Sequence, residues 1–136
     1  LYPIYTFVDA DLSGTAESGK AELGRLVGKQ HGFDTVKPVQ LIKYLVQTFT
    51  NKKDIILDFF SGSATTAQAV IEQNEEDHGT RKYILVQIEE KCDPDGEAFK
   101  AGFKTICEIG KERIRRAGKQ ILSAGGGTVG DVRDAA

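Results

Sequence analysis

Residues 54–66, Asp54-Ile55-Ile56-Leu57-Asp58-Phe59-Phe60-Ser61-Gly62-Ser63-Ala64-Thr65-Thr66, constrain the fold more than any other stretch. A short apolar run ends in an acid, a tight loop of small residues follows, and a helical pattern begins. An α/β sheet builds a pocket for a nucleotide-like ligand in this way, at the carboxyl end of a strand. The rest of the chain fits one βαβ crossover around it. Pro38 suits the first turn of a helix, where its missing N–H costs nothing. Leu41, Ile42, Leu45, Val46 and Phe49 then form an apolar stripe, with Gln40, Lys43, Gln47 and Thr48 opposite. Ile55–Phe59 reads as a buried parallel strand, Thr65–Asn74 as a helix, and Tyr83–Ile88 as a second strand.

The flanks are less regular. Tyr2, Ile4, Phe7 and Val8 suggest an extended piece, and Asp11–Gly14 a turn. Ala16–Val27 has helical spacing at Leu23, Leu26 and Val27, although glycines inside it weaken a helix. Gly28–Lys37 reads as a loop, and Glu89–Gly102 as irregular with a turn at Asp93-Pro94-Asp95-Gly96. Thr105 to about Leu122 is a last helix with Ile106, Ile109, Ile114, Ala117 and Ile121 inward. Residues 123–136, with Gly125-Gly126-Gly127, read as a flexible tail.

The 136 residues make about one domain. No run of about eighteen apolar residues is present to span a membrane. The start, Leu1-Tyr2-Pro3-Ile4-Tyr5, has neither Met nor a signal pattern, so the chain is expected to be cut from something longer. Two strands cannot make a stable open sheet alone. The sheet is therefore expected to be incomplete as a single chain, with missing strands or a second copy finishing it, and a homo-oligomer is expected. Lys plus Arg is 18 and Asp plus Glu is 20, a net −2 that gives no global reason to expect nucleic acid. Locally, Lys104–Gln120 holds six basic and two acidic residues. Either this is a solvated helix face laced with ion pairs or a patch facing phosphate. Cys92 and Cys107 read as reduced thiols of a cytosolic protein. His31 and His78 lack metal-ligand spacing and read as surface or structural residues.

The loop itself admits several ligands. A phosphate loop wants a Lys that is absent here. A dinucleotide site wants three glycines, and only Gly62 is present. S-adenosylmethionine carries an amino-acid end, a ribose and an adenine without phosphate. It needs close backbone approach and hydroxyls, which Gly62, Ser63, Thr65 and Thr66 offer. A plain strand-to-helix turn with no ligand is the remaining alternative.

Asp58–Thr66 resembles the D-P-F-x-G-S-G-T-T motif of amino-group DNA methyltransferases. Phe33-Asp34-Thr35-Val36-Lys37-Pro38 resembles the H-P-T-Q-K-P element that precedes that motif by one helix in the circularly permuted β group. Thr80–Ile88 looks like that family's second strand, and Ile106–Ala117 resembles a stretch near the end of Mod subunits of type III restriction-modification systems. The four elements agree in order and span most of residues 33–117.

The resemblance implies a partial Rossmann-like, S-adenosylmethionine-dependent methyltransferase sheet, with parallel strands and flanking helices. It implies an end of the upstream target-recognition region at 1–32 and a cofactor-binding part at 33–122. Lys37 and Pro38 would lie near the methionine end of the cofactor. Asp58, Phe60, Gly62, Ser63, Thr65 and Thr66 would form the main cofactor loop. Gln87 stands where relatives have an acid for the ribose hydroxyls, with Glu89 the fallback. Lys111, Arg113 and Arg116 are candidates for DNA. Ala64 replaces a motif glycine and is expected to be harmless, because position 64 opens a helix. Phe59 replaces the motif's proline. The family's Asp/Asn/Ser-Pro-Pro-aromatic tetrapeptide, which holds the target amino group of a flipped base, occurs nowhere in the chain. The chain is thus expected to be the cofactor half of a bacterial, cytoplasmic enzyme that methylates adenine N6 in DNA. A restriction (Res) subunit is the expected partner, and no methyl transfer by the 136 residues alone is expected. Rival readings are a non-catalytic docking module, or methylation of RNA or a small molecule.

Overall fold

A computed structural model describes residues 7–125. Helix α1 (Ala10–Ser13) is a single turn where a reverse turn was expected. Asp9 caps it by accepting the Asp11 N–H, and Gly14 closes it at φ +74°. The extended piece expected before it falls mostly on residues 1–6, outside the described residues. Helix α2 (Ala16–Val27) has the bounds its periodicity predicts, fixed at the start by a reciprocal Thr15–Ser18 capping box.

Helix α3 (Val39–Phe49) begins one residue after Pro38, which takes the cap position rather than the first turn. Proline has no side-chain acceptor to cap with. Glu22 of α2 does the work instead, its Oε2 accepting the Val39 N–H at 3.0 Å. A carboxylate there also suits the helix dipole. The inward face of α3 differs from the expected stripe. Lys43 is buried and pairs with Glu72 and Glu76, while Leu45 and Phe49 are exposed. The reason is the neighbour: helix α4 (Thr65–Asp77) packs against α3 and presents acids and Gln73, whose Oε1 accepts from Gln47 Nε2 at 2.6 Å.

Strands β1 (Ile55–Asp58) and β2 (Lys82–Leu85) form a two-stranded parallel sheet, joined through α4, with Ile55 opposite Lys82 and Leu57 opposite Ile84. Both strands are shorter than expected. The pairing is nonetheless continued by Val86 N–H to the Asp58 carbonyl at 2.8 Å. The burial expected for a parallel strand is reached on one face only. Ile56, Tyr83 and Leu85 are half-buried, whereas Ile55 (61% exposed), Leu57 (49%) and Ile84 (53%) face outward.

The irregular segment after β2 contains a one-turn helix, α5 (Glu97–Lys100), and the expected turn, closed by Gly96 N–H to the Asp93 carbonyl at 2.9 Å. Helix α6 (Ile106–Gly125) outruns its expected end and takes in the first residues of the expected tail; 126–136 lie outside the described residues. Leu23, Leu26 and Val27 of α2 and Ile109 and Ala117 of α6 form the main core with Val36 and Ala98. His31 is buried beside it, and its Nδ1 accepts the Phe33 N–H at 3.1 Å, which requires the neutral ring. Burial lowers its pKa, in keeping with that structural role. No helix among the described residues is long and apolar enough to cross a membrane.

Candidate cofactor-binding site

The turn from β1 into α4 is held from three sides. Asp58 anchors it from the strand: Oδ1 accepts the Phe60 N–H at 3.0 Å and Oδ2 accepts the Thr66 hydroxyl at 2.5 Å. Gln87, just past β2, anchors it from the neighbouring strand's end, accepting the Gly62 N–H at 2.7 Å. Arg113 anchors it from beneath. Its Nη1 donates to Ser63 Oγ at 2.9 Å and to Thr65 Oγ1 at 2.7 Å. Thr65 Oγ1 also donates to the Lys37 carbonyl at 3.3 Å, so two of the four segments that carry the family resemblance meet here.

Two residues of the loop are left-handed. Gly62 has φ +48°, and a Cβ there would meet only the Phe60 carbonyl at 3.9 Å, so its backbone is open to close approach. Ala64 has φ +61° and ψ +35°, which corrects the expectation that this position is helical and the substitution harmless. An L residue in that conformation costs about 1–2 kcal/mol. Gly110 of α6 accommodates the methyl: a Cβ at 110 would stand 3.4 Å from the Ala64 Cβ. Ala64→Gly should relieve the strain and give up a buried methyl worth about 0.8 kcal/mol, for a net gain of up to about 1 kcal/mol. A thermal melt checks this, and a lower midpoint for the glycine variant counts against it.

The expected site residues fall into three groups. Lys37, Phe60 and Glu89 are exposed; Asp58, Gly62, Thr66 and Gln87 are half-buried; Pro38, Ser63 and Thr65 are buried. The Ser63 and Thr65 hydroxyls point to Arg113 and each other, so they brace the loop. The Gln87 amide is engaged as well, through Gly62 and through Nε2 to the Ile88 carbonyl at 3.2 Å. No side chain among the described residues caps the N-terminus of α4. Its first-turn N–H groups therefore lack the partner that helix starts normally have, and they favour an acceptor or anion. An open glycine backbone beside an uncapped helix start suits a ligand with a carboxylate end, as S-adenosylmethionine has.

The basic stretch of α6 is not a uniform surface. Arg113, expected to face DNA, is fully buried, because it lies one turn from both Ile109 and Ala117 on the inward stripe. Arg115 and Arg116 both pair with Glu112, and Arg116 Nη1 also donates to the Leu26 carbonyl at 2.7 Å. The Arg115 and Arg116 hydrogen bonds hold the Glu112 carboxyl down at about 2. Lys111 is exposed. The sequence contained the signal for Arg113 in its i, i+4 spacing, and a count of charges along the chain hid it. Cys92 and Cys107 are free thiols, and no group of metal-ligating side chains occurs among the described residues.

The loop thus sits at the carboxyl end of the first strand of a βαβ unit, in a mixed α/β chain with a parallel sheet. The chain belongs to the DNA methylase family, whose pattern matches residues 12–116. It is 41% identical over 116 residues to the type III restriction-modification enzyme StyLTI Mod subunit of Salmonella typhimurium, covering 85% of this chain and 18% of that protein. It is 40% identical over 106 residues to the EcoPI Mod subunit of Escherichia phage P1, covering 78% and 16%. The type II methyltransferase M.KpnI of Klebsiella pneumoniae is 34% identical over 104 residues, covering 76% and 25%. The chain thus spans a quarter or less of the length of these relatives.

Proposed function

We propose that this chain is the cofactor-binding part of an S-adenosylmethionine-dependent methyltransferase that modifies adenine N6 in DNA, within a bacterial, cytoplasmic restriction-modification assembly that includes a Res subunit. The observation that carries this is the loop from Asp58 to Thr66, fastened to Lys37 and presenting an open Gly62 backbone and an uncapped helix start. In this reading β1 and β2 are two strands of a larger Rossmann-like sheet, and residues 33–122 are its cofactor half.

When bound, the cofactor supplies an electrophilic methyl on a sulfonium. The chain's own residues bind and orient it. First-turn N–H groups of α4 receive the carboxylate, Lys37 and Pro38 flank the methionine end, and Phe60 offers an exposed apolar face beside the loop. Gln87 is occupied in bracing Gly62, so the ribose hydroxyls pass to Glu89, the exposed carboxylate two residues on. Lys111 and Arg116 remain the candidates for DNA phosphate. The residues that would hold the target base are not in this sequence, so no methyl transfer is expected from the 136 residues alone.

Calorimetric titration of the protein with S-adenosylmethionine tests the reading. Saturable binding is expected. Gly62→Val forces a β-branched residue to φ +48°, and Asp58→Ala frees the Phe60 N–H and the Thr66 hydroxyl. Each should raise Kd about tenfold or more. Absence of saturable heat from the unsubstituted protein would favour the second reading, a non-catalytic docking module. The uncovered apolar sheet face is the observation that supports that alternative.

A further inference from the structure

Arg113 is the largest fully buried side chain among the described residues. Burying a guanidinium is costly unless a carboxylate or a full set of acceptors compensates it. Here its hydrogen bonds run to neutral groups: Nε to Gln68 Oε1 at 2.7 Å, and Nη1 to Ser63 Oγ, Thr65 Oγ1 and the Ser63 carbonyl at 3.3 Å. Nη2 is buried without a partner among the described residues. Burial pulls the pKa down to about 10, against the smaller opposing pull of Glu22 and Glu72, so the group is still charged at neutral pH. An apolar residue of similar length on the same stripe would pack there without that cost, but it would leave the two hydroxyls of the loop unheld.

We propose that Arg113 is a positioning residue for the cofactor loop. It draws the Ser63 and Thr65 hydroxyls beneath the loop, fixes Ala64 in the left-handed conformation between them, and so aims the N–H groups of the α4 start outward. Gly110 completes the device one turn earlier, since the absence of a Cβ lets the loop rest against α6, with the Gly62 carbonyl 3.4 Å from where that atom would be. The charge thus acts through the loop and does not touch the ligand. The proposal rests on the reading of residues 58–66 as the cofactor loop, and its test separates the two.

The test combines amide hydrogen exchange at residues 61–66 with S-adenosylmethionine titration, on the protein and on Arg113→Met, Arg113→Lys and Thr65→Val. Arg113→Met should speed exchange in the loop about tenfold or more and raise Kd by a similar factor, while the Val46 amide in α3 and the Ile56 amide, which faces β2 in the parallel ladder, keep their protection. Arg113→Lys should recover part of both effects, because an ammonium reaches the two hydroxyls but not Gln68 as well. Thr65→Val, which leaves Arg113 in place, should show the same local loss and carries the test if Arg113→Met does not fold. Unchanged loop exchange and unchanged Kd in Thr65→Val and Arg113→Lys would overturn the proposal and leave the cofactor reading standing. Loss of loop protection in a protein that never bound S-adenosylmethionine would overturn the cofactor reading and leave Arg113 as the residue that orders the loop. Equal loss of protection everywhere would reduce Arg113 to a core residue and end the proposal.

Discussion

Gly19→Ala is expected to destabilise the protein by about 2–3 kcal/mol, although alanine favours a helix interior over glycine by about 1 kcal/mol. Gly19 lies inside α2, and its backbone has no need of glycine's freedom. What matters is the chain that crosses it. A Cβ at 19 would stand 2.3 Å from the Val36 carbonyl oxygen and 2.8 Å from the Lys37 carbonyl carbon. Both are backbone atoms of a segment held on each side. Val36 is buried in the core, Lys37 accepts from Thr65, and Val39 donates to Glu22. The segment can retreat only by breaking one of those, and the bond to Thr65 ties it to the proposed cofactor loop. Affinity for the cofactor should fall along with stability. Two controls share the chemistry without the crossing. Gly24→Ala, in the same helix, meets only Lys29 at 3.8 Å, and Gly118→Ala in α6 meets nothing within 4 Å. Each should gain about 0.5–1 kcal/mol. Urea denaturation of the three variants checks the set. A Gly19→Ala midpoint at or above the parent's would remove the close crossing from the account.

That glycine illustrates what a sequence carries and what it hides. The spacing of Leu23, Leu26 and Val27 was enough to place α2, and the change of period at Asp58 was enough to place the strand, loop and helix around the site. Those are local signals, each set by one element's own burial. The features that escaped are set by the neighbour. Lys43 lies on the inward face of α3 because α4 answers it with Glu72 and Glu76, and nothing within residues 39–49 announces that. Ala64 is left-handed because the chain must reverse from strand to helix within a few residues while its methyl rests on Gly110, some 46 positions away in sequence (110 − 64). Gln87 stands where the resemblance implies a ligand residue, and in the fold its amide oxygen accepts the Gly62 N–H, a partner 25 positions away. The site was legible as a place in the chain. The division of labour within it, between groups that brace and groups left open, depends on contacts that only the folded structure brings together.

The 136-residue chain is expected to associate in solution, and Leu57→Lys together with Ile84→Lys to return it to a monomer. Leu57 and Ile84 are directly opposite each other across the sheet, about half exposed, and Ile55 continues the same face. Val86 and Ile88 extend the apolar surface beyond β2, and Phe59 and Phe60 beyond β1. Parallel sheets are normally covered on both faces, and a contiguous apolar surface of this kind marks an interaction site. Burying the remaining surface of these Leu and Ile side chains, at about 25 cal/mol per Å², works against the cost of association. Among the described residues both strands are also edges of their sheet, with backbone groups placed to accept a further strand. Lysine is the probe because these positions point outward. The charge blocks burial against a second copy without entering the core made by Leu23, Ile109 and their neighbours. Light scattering should give a mass of twice 14.8 kDa or more for the parent and 14.8 kDa for the double variant. A parent that stays at the monomer mass across the micromolar range would mean that the exposed face is tolerated in water. Association that survives both lysines would move the contact to Leu45 and Phe49, the exposed apolar residues of α3, and away from the sheet.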